Sequence, residues 1–188
     1  MSKIIRSNFK DHKNILDWTL LKLEKNIIYA TDLICRALIK KHLILWCGNG
    51  GSASDSMHLS AEFIGRFNKK RKSLNSISLS SNSPALTAIS NDFGYKNVFS
   101  RQIEGLGKKN DLLVVFSTSG NSENIIRALK KAKKIGMKTI AFLGNKGGKC
   151  KGLSEVDLIV PSRSTSRIQE MHILIGHTFC DLIEKKLK

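Results

Sequence analysis

The sequence predicts an α/β protein, a three-layer sandwich with a central five-stranded parallel sheet and an N-terminal helical arm. Three observations lead there. Beyond residue 42, short apolar runs alternate with longer segments of helical periodicity, the pattern of a parallel sheet covered on both faces. The first of these runs, Leu43-Ile44-Leu45-Trp46-Cys47, is apolar throughout, as a strand buried on both faces requires. Polar Gly- and Ser-rich turns follow the first, third and last candidate strands, at the sheet edge where open parallel sheets hold their ligands.

The elements follow in order. Over residues 9–41, Phe9, Ile15, Leu16, Leu20, Leu23, Ile27, Ile28, Leu33, Ile34, Ala37 and Leu38 recur at helical spacing. The stretch exceeds an average helix, so two helices are expected, with a joint near Asn26 or Thr31. Candidate strands span 43–47, 76–79, 112–117, 138–143 and 157–160; candidate helices span 53–66, 84–89, 98–106, 122–135 and 166–186. Pro84 can open a helix, and Pro161 follows the last strand. A chain of 188 residues can bury one sizeable core. A single domain over 1–188 is expected, with N-terminal helices over 1–41 and the α/β core over 42–188.

Composition narrows the function classes. No apolar run reaches the ~18 residues of a membrane span, and Met1–Ser7 lacks the apolar core of a signal peptide. A cytoplasmic protein with no membrane partner is expected. Cys35, Cys47, Cys150 and Cys180 show no close spacing and read as buried or incidental thiols. The formal net charge of +17 would favour anions, but the lysines are spread along the chain. The densest run, Lys69-Lys70-Arg71-Lys72, falls in a loop, and no aromatics interleave with it as single-strand binding would demand. A solvated basic surface is the better reading than a nucleic-acid site.

Residues 47–62 are the richest in chemistry. Cys47-Gly48-Asn49-Gly50-Gly51-Ser52 forms a strand-to-helix turn, with the helix opening at Ser52 or Ser54. Free N–H groups at such a turn can cradle an anion. The glycine spacing fits neither the dinucleotide fingerprint nor the P-loop. Within the helix, His58 and Glu62 stand at i, i+4 and share a face, a donor pair suited to zinc or proton transfer. Asp55 either orients the His58 ring or is an acid favoured in a first helical turn. Ser117-Thr118-Ser119-Gly120-Asn121-Ser122 offers more hydroxyls than one helix cap requires, and suits a phosphate.

These segments, with Asn91-Asp92-Phe93-Gly94 and Arg167-Ile168-Gln169-Glu170-Met171-His172, together with His177, occur in the order that marks the phosphoheptose isomerases of the sugar isomerase (SIS) domain superfamily, which the chain resembles over nearly its whole length. The resemblance implies the SIS fold, with flavodoxin-like strand order, and an aldose–ketose isomerase acting on sedoheptulose 7-phosphate in the supply of ADP-heptose for lipopolysaccharide core. It implies substrate contacts at Asn49, Gly50, Gly51, Ser52, Glu62, Asn91, Asp92, Ser117, Thr118, Ser119, Ser122 and Gln169. Zinc would be held by His58, Glu62, Gln169 and His177, with Glu62 and His177 catalytic and Asp55 supporting. The resemblance also implies a homotetramer. Gln169 and His177 are eight residues apart, roughly 12 Å along a straight helix, whereas metal–ligand bonds are about 2 Å. Either the helix bends or the sites are shared between subunits; the second is expected, with Glu170 and His172 at the surface or an interface. Some relatives place an acid where this chain has Ser166, which bears on the supporting residues and not on the main assignment. The rival readings are a non-catalytic SIS partner of a replication initiator, another sugar-phosphate isomerase, and a sugar-phosphate-sensing regulator. The presence of His58, Glu62 and His177 favours the enzyme over the initiator partner, and the chain has no room for a regulator's added domains.

Overall fold

The computed structural model describes residues 1–187. Its centre is a parallel sheet in the order β2-β1-β3-β4-β5, formed by β1 (Ile44–Gly48), β2 (Ser76–Ser78), β3 (Leu112–Ser117), β4 (Lys138–Gly144) and β5 (Val156–Val160). The order reverses beside β1, so the crevice between the β1 and β3 ends is the switch point where such sheets bind ligands. The connecting helices are α1 (Ser2–Ile39), α2 (Gly51–Ile64), α3 (Ser83–Phe93), α4 (Val98–Leu106), α5 (Glu123–Ile135) and α6 (Thr165–Lys186).

The strands sort their side chains with a period of two. Ile44, Trp46, Leu112, Val114, Phe116, Ile140 and Phe142 face α1, α2 and α6, where they meet Ile34, Leu59, Phe63 and Phe179. Leu45, Cys47, Leu113, Val115, Ala141 and Leu143 face the opposite layer, against Val98, Phe99, Ile103, Ile125 and Leu129. Because both faces are covered, the central strands β1, β3 and β4 are buried almost throughout, and the apolar runs in the sequence follow directly. Trp46 is fully buried, yet its indole N–H donates to Ser76 Oγ at 2.8 Å, so the polar atom is satisfied. All four cysteines are buried and free, as the spacing suggested.

Two element expectations are corrected. Residues 2–39 form one unbroken helix and not two. No glycine or proline interrupts it, and at the expected joint the Thr31 hydroxyl bonds back to the Ile27 carbonyl at 2.8 Å instead of leaving the helix. Asn26, the other candidate joint, points outward and donates to the Asp157 carbonyl at 3.2 Å. The N-terminal half of α1 is tied to α6 by Glu170, which meets His12 Nδ1 and Arg167 Nη2, each at 2.7 Å. The second correction concerns α3. Pro84 and the Asn82 side chain, accepting from Ala85 N at 3.1 Å, start it, and it runs four residues beyond its expected end, up to Gly94. Asn91 and Asp92, beyond the expected helix end, sit in its last turn, and Gly94 at φ +78° ends the helix. Among the described residues no helix is long and apolar enough to cross a membrane.

Candidate active site

The chain leaves β1 through Gly48, Asn49 and Gly50 and enters α2 at Gly51, ahead of the expected opening at Ser52 or Ser54, and α2 ends at Ile64, two residues short of the expected span. Gly50 has φ +55°, a conformation that disfavours other residues. The Asn49 side chain is held on both sides. It exchanges amide hydrogen bonds with Asn124 at 2.9 and 2.8 Å and accepts from the Tyr95 hydroxyl at 2.7 Å. Across the crevice, the loop after β3 turns through Gly120, whose N–H donates to Ser117 Oγ at 3.1 Å. Ser122 starts α5 without a side-chain cap bond, so its hydroxyl is not spent on the helix. Thr118 and Ser122 are half-buried, Ser119 is exposed and Ser117 is buried. Backbone N–H groups and hydroxyls thus line both sides of the switch point, an arrangement that can hold a phosphate. Asn91 and Asp92 are exposed and bonded to each other at 2.8 Å.

A second group forms farther along α2, on the side facing α6. His58 Nε2 lies 3.3 Å from Glu62 Oε1 and 3.4 Å from His177 Nε2. One ligand atom from each of the three falls within 4.8 Å of the others. The helices come close enough because Gly176 has no side chain: a Cβ there would lie 2.3 Å from Leu59 Cδ1. Partial burial, then the neighbouring His58, lower the pKa of His177, while Glu62 pulls it back up. A His-His-carboxylate set of this spacing suits zinc or a similar divalent ion, so the residues present fit the metal that the resemblance implies.

Several predicted residues are placed elsewhere. Gln169 packs on Gly51, where a Cβ would meet its Nε2 at 2.5 Å, and it stands on α6 eight residues before His177. Asp55 makes no hydrogen bond to His58. Its Oδ2 is buried without a partner, and burial pushes the carboxyl up to about 6 against the lowering effect of His58. His172 is neither at the surface nor at an exposed interface face. It is fully buried against Phe116 and Phe142 and bonds the Leu143 carbonyl at 3.1 Å. Its position one turn from Ile168 and Ile175 on the apolar stripe of α6 was the available signal. Ser166 is exposed and pairs with Ser164. Sequence reasoning missed Asn124, Tyr95, Gly176 and Phe67, whose ring stacks on His177 at 5.4 Å and 22°. Asn124 alone left a trace, as a polar residue beside the buried Ile125-Ile126 pair.

A switch point lined by N–H groups and hydroxyls, with an acid–base cluster farther along α2 on a doubly wound parallel sheet, is the class of site that suits a small phosphorylated substrate. The family model for the SIS domain matches residues 8–144, and the chain belongs to the SIS family. A phosphoheptose isomerase from Helicobacter pylori is 50% identical over 182 residues, covering 97% of this chain and 95% of the relative. The structure of a phosphoheptose isomerase from Neisseria gonorrhoeae superposes with a TM-score of 0.91 at 39% identity, covering 98% of both chains. One from Francisella tularensis gives 0.94 at 33% identity, covering 97% of both. Within the SIS family the chain stands with the phosphoheptose isomerases, and it is an enzyme, a sugar-phosphate isomerase.

Proposed function

We propose that this chain interconverts sedoheptulose 7-phosphate and D-glycero-D-manno-heptose 7-phosphate, and so supplies ADP-heptose for lipopolysaccharide core in the cytoplasm. The observation that carries the proposal is the convergence of His58, Glu62 and His177, two groups on one helix and the third 119 positions away in sequence.

The reaction moves a proton between C1 and C2 through an enediol(ate). The N–H groups and hydroxyls of Gly50-Gly51-Ser52, Ser117, Thr118, Ser119 and Ser122 bind the phosphate, and Asn49, Asn91, Asp92 and Gln169 orient the sugar. Glu62 takes the proton from one carbon and returns it to the other. His177 accepts and delivers protons at the substrate oxygens. His58, Glu62 and His177 would hold a zinc ion, with Gln169 completing the set. When bound, zinc supplies Lewis-acid stabilisation of charge on those oxygens. The protein works as a homotetramer with sites shared between neighbouring subunits, a reading supported by Gln169 and His177 lying two turns apart on one helix. Apolar side chains exposed on α1, among them Phe9, Trp18 and Leu21, support association through that helix.

The test is turnover of sedoheptulose 7-phosphate by purified protein, with and without a chelator, beside Glu62→Gln and His177→Ala. Both variants should lose activity by roughly a thousandfold, within the range for general acid–base groups. Chelator sensitivity restored by added zinc supports the metal. Wild-type protein that binds the sugar but does not turn it over with zinc present would sink the reading.

A further inference from the structure

The loop after α2 contains the basic run that reads, in sequence, as a solvated surface. Arg71 does something else. Its Nε donates to Glu184 Oε1 at 3.0 Å, and its Nη1 and Nη2 donate to the Phe63 and Glu62 carbonyls at 2.8 and 2.7 Å. These carbonyls belong to the last turn of α2, where a cation is favoured. Glu184 is buried, and it accepts from three successive backbone N–H groups, those of Phe67, Asn68 and Lys69, at 2.9, 2.9 and 2.8 Å. Such a nest of amides fixes the loop's path around the carboxylate.

The partners of this pair are what give it meaning. Glu184 follows His177 by seven residues, two turns of α6, so both project from the same face. Arg71 grips α2 at Glu62 itself. The loop between them carries Phe67, whose ring lies on the His177 imidazole. The pair thus joins the two helices that carry the His58–Glu62–His177 cluster, and it places the ring that covers one member. Its side chains are only 15% and 2% exposed. A buried ion pair adds little net stability over an apolar substitute, and its best-attested use is to specify one arrangement.

We propose that Arg71 and Glu184 are positioning residues for the isomerase reaction, a clamp that sets the geometry of His58, Glu62 and His177 through Phe67. The proposal rests on the reading that this cluster performs the chemistry.

A double-mutant cycle on isomerase turnover tests it, with Glu184→Gln, Phe67→Leu and the two combined, and with melting temperature measured alongside. Small misplacements of acid–base groups lower rates by roughly ten- to a hundredfold. Each single variant should therefore lose kcat by that order with KM for the sugar phosphate unchanged, and the double should be no worse than Glu184→Gln alone. Phe67→Tyr, which keeps the stack, should retain kcat. Should Glu184→Gln fail to fold, Phe67→Leu against Phe67→Tyr carries the test. Unchanged kcat with a lowered melting temperature, or effects that multiply in the double, would overturn the clamp. His177→Ala run in parallel separates the two readings. If it is inactive while the clamp variants turn over normally, only the clamp falls; if it turns over normally, the cluster is not the site and the clamp falls with it.

Discussion

The switch-point crevice and the α2–α6 cluster are built by different means. The crevice is made of short polar side chains and backbone N–H groups on loops that leave adjacent strands, and β1 and β3 set the distance between its walls. The cluster depends on two helices meeting side by side, on a missing side chain at Gly176 and on an ion pair at Glu184. The first is rigid because the sheet is; the second is only as well placed as the helix packing. On the proposed function, binding and chemistry have separate structural supports, and substitutions should separate them.

The largest expected effect falls on the cluster. Glu62→Gln should abolish turnover by roughly a thousandfold and leave affinity for the sugar phosphate, measured by calorimetry, within a few-fold. An equal loss of both would break the distinction between the two regions.

His172, on α6 between Gln169 and His177, tests the support that the regions share. Burial lowers its pKa from 6.5 to about 4, against the raising effect of its bond to Leu143. The unfolded chain then binds a proton that the folded chain refuses. Stability is full above pH 6.5 and declines as pH falls from 6.5 towards 4, by about 3 kcal/mol in all. Urea unfolding at pH 7 and pH 5 should show the decline, and His172→Leu should remove this part of the slope.

Gly176→Ala sharpens the contrast from the packing side. Its Cβ would press on Leu59 and destabilise by about 1–3 kcal/mol, lowering kcat more than KM as α2 and α6 separate. Adding Leu59→Ala should relieve the clash and recover part of the turnover, although it leaves a cavity of its own. The smallest effect belongs to the crevice. Tyr95→Phe removes one hydrogen bond to Asn49, worth about 1 kcal/mol, and should raise KM several-fold with kcat unchanged.

The same division governs what could be read without a structure. The crevice was legible because it is local: strand, glycine turn and hydroxyl-rich loop are each contiguous, and parallel sheets put such turns on one edge. The five strands and the helices that follow them were legible from apolar runs and periodicity for the same reason. His58 and Glu62 were legible through their i, i+4 spacing, and His177 only through its resemblance to a known family. Nothing local announces that Gly176 opens room for Leu59, that Arg71 belongs to Glu184 and not to solvent, or that Phe67 covers an imidazole. These are relations between segments more than a hundred residues apart. The long α1 was misread for the opposite reason: average helix length was set against a stretch with no residue able to break it.

The paired amides of Asn49 and Asn124 have a bearing on how the protein ages. Asn49 precedes Gly50, and an asparagine before glycine is prone to deamidation, because the unhindered glycine nitrogen can attack the side-chain amide and close a succinimide ring. That attack needs the side chain to swing back over its own backbone. Here hydrogen bonds with Asn124 and Tyr95 hold the side chain in place against that swing. A carboxylate formed at this position would face the Asn124 carbonyl oxygen and stand at the mouth of an anion cradle. The contact that shapes the crevice is thus also its chemical preservative, and folded protein should keep Asn49 intact through storage that converts it in the unfolded chain.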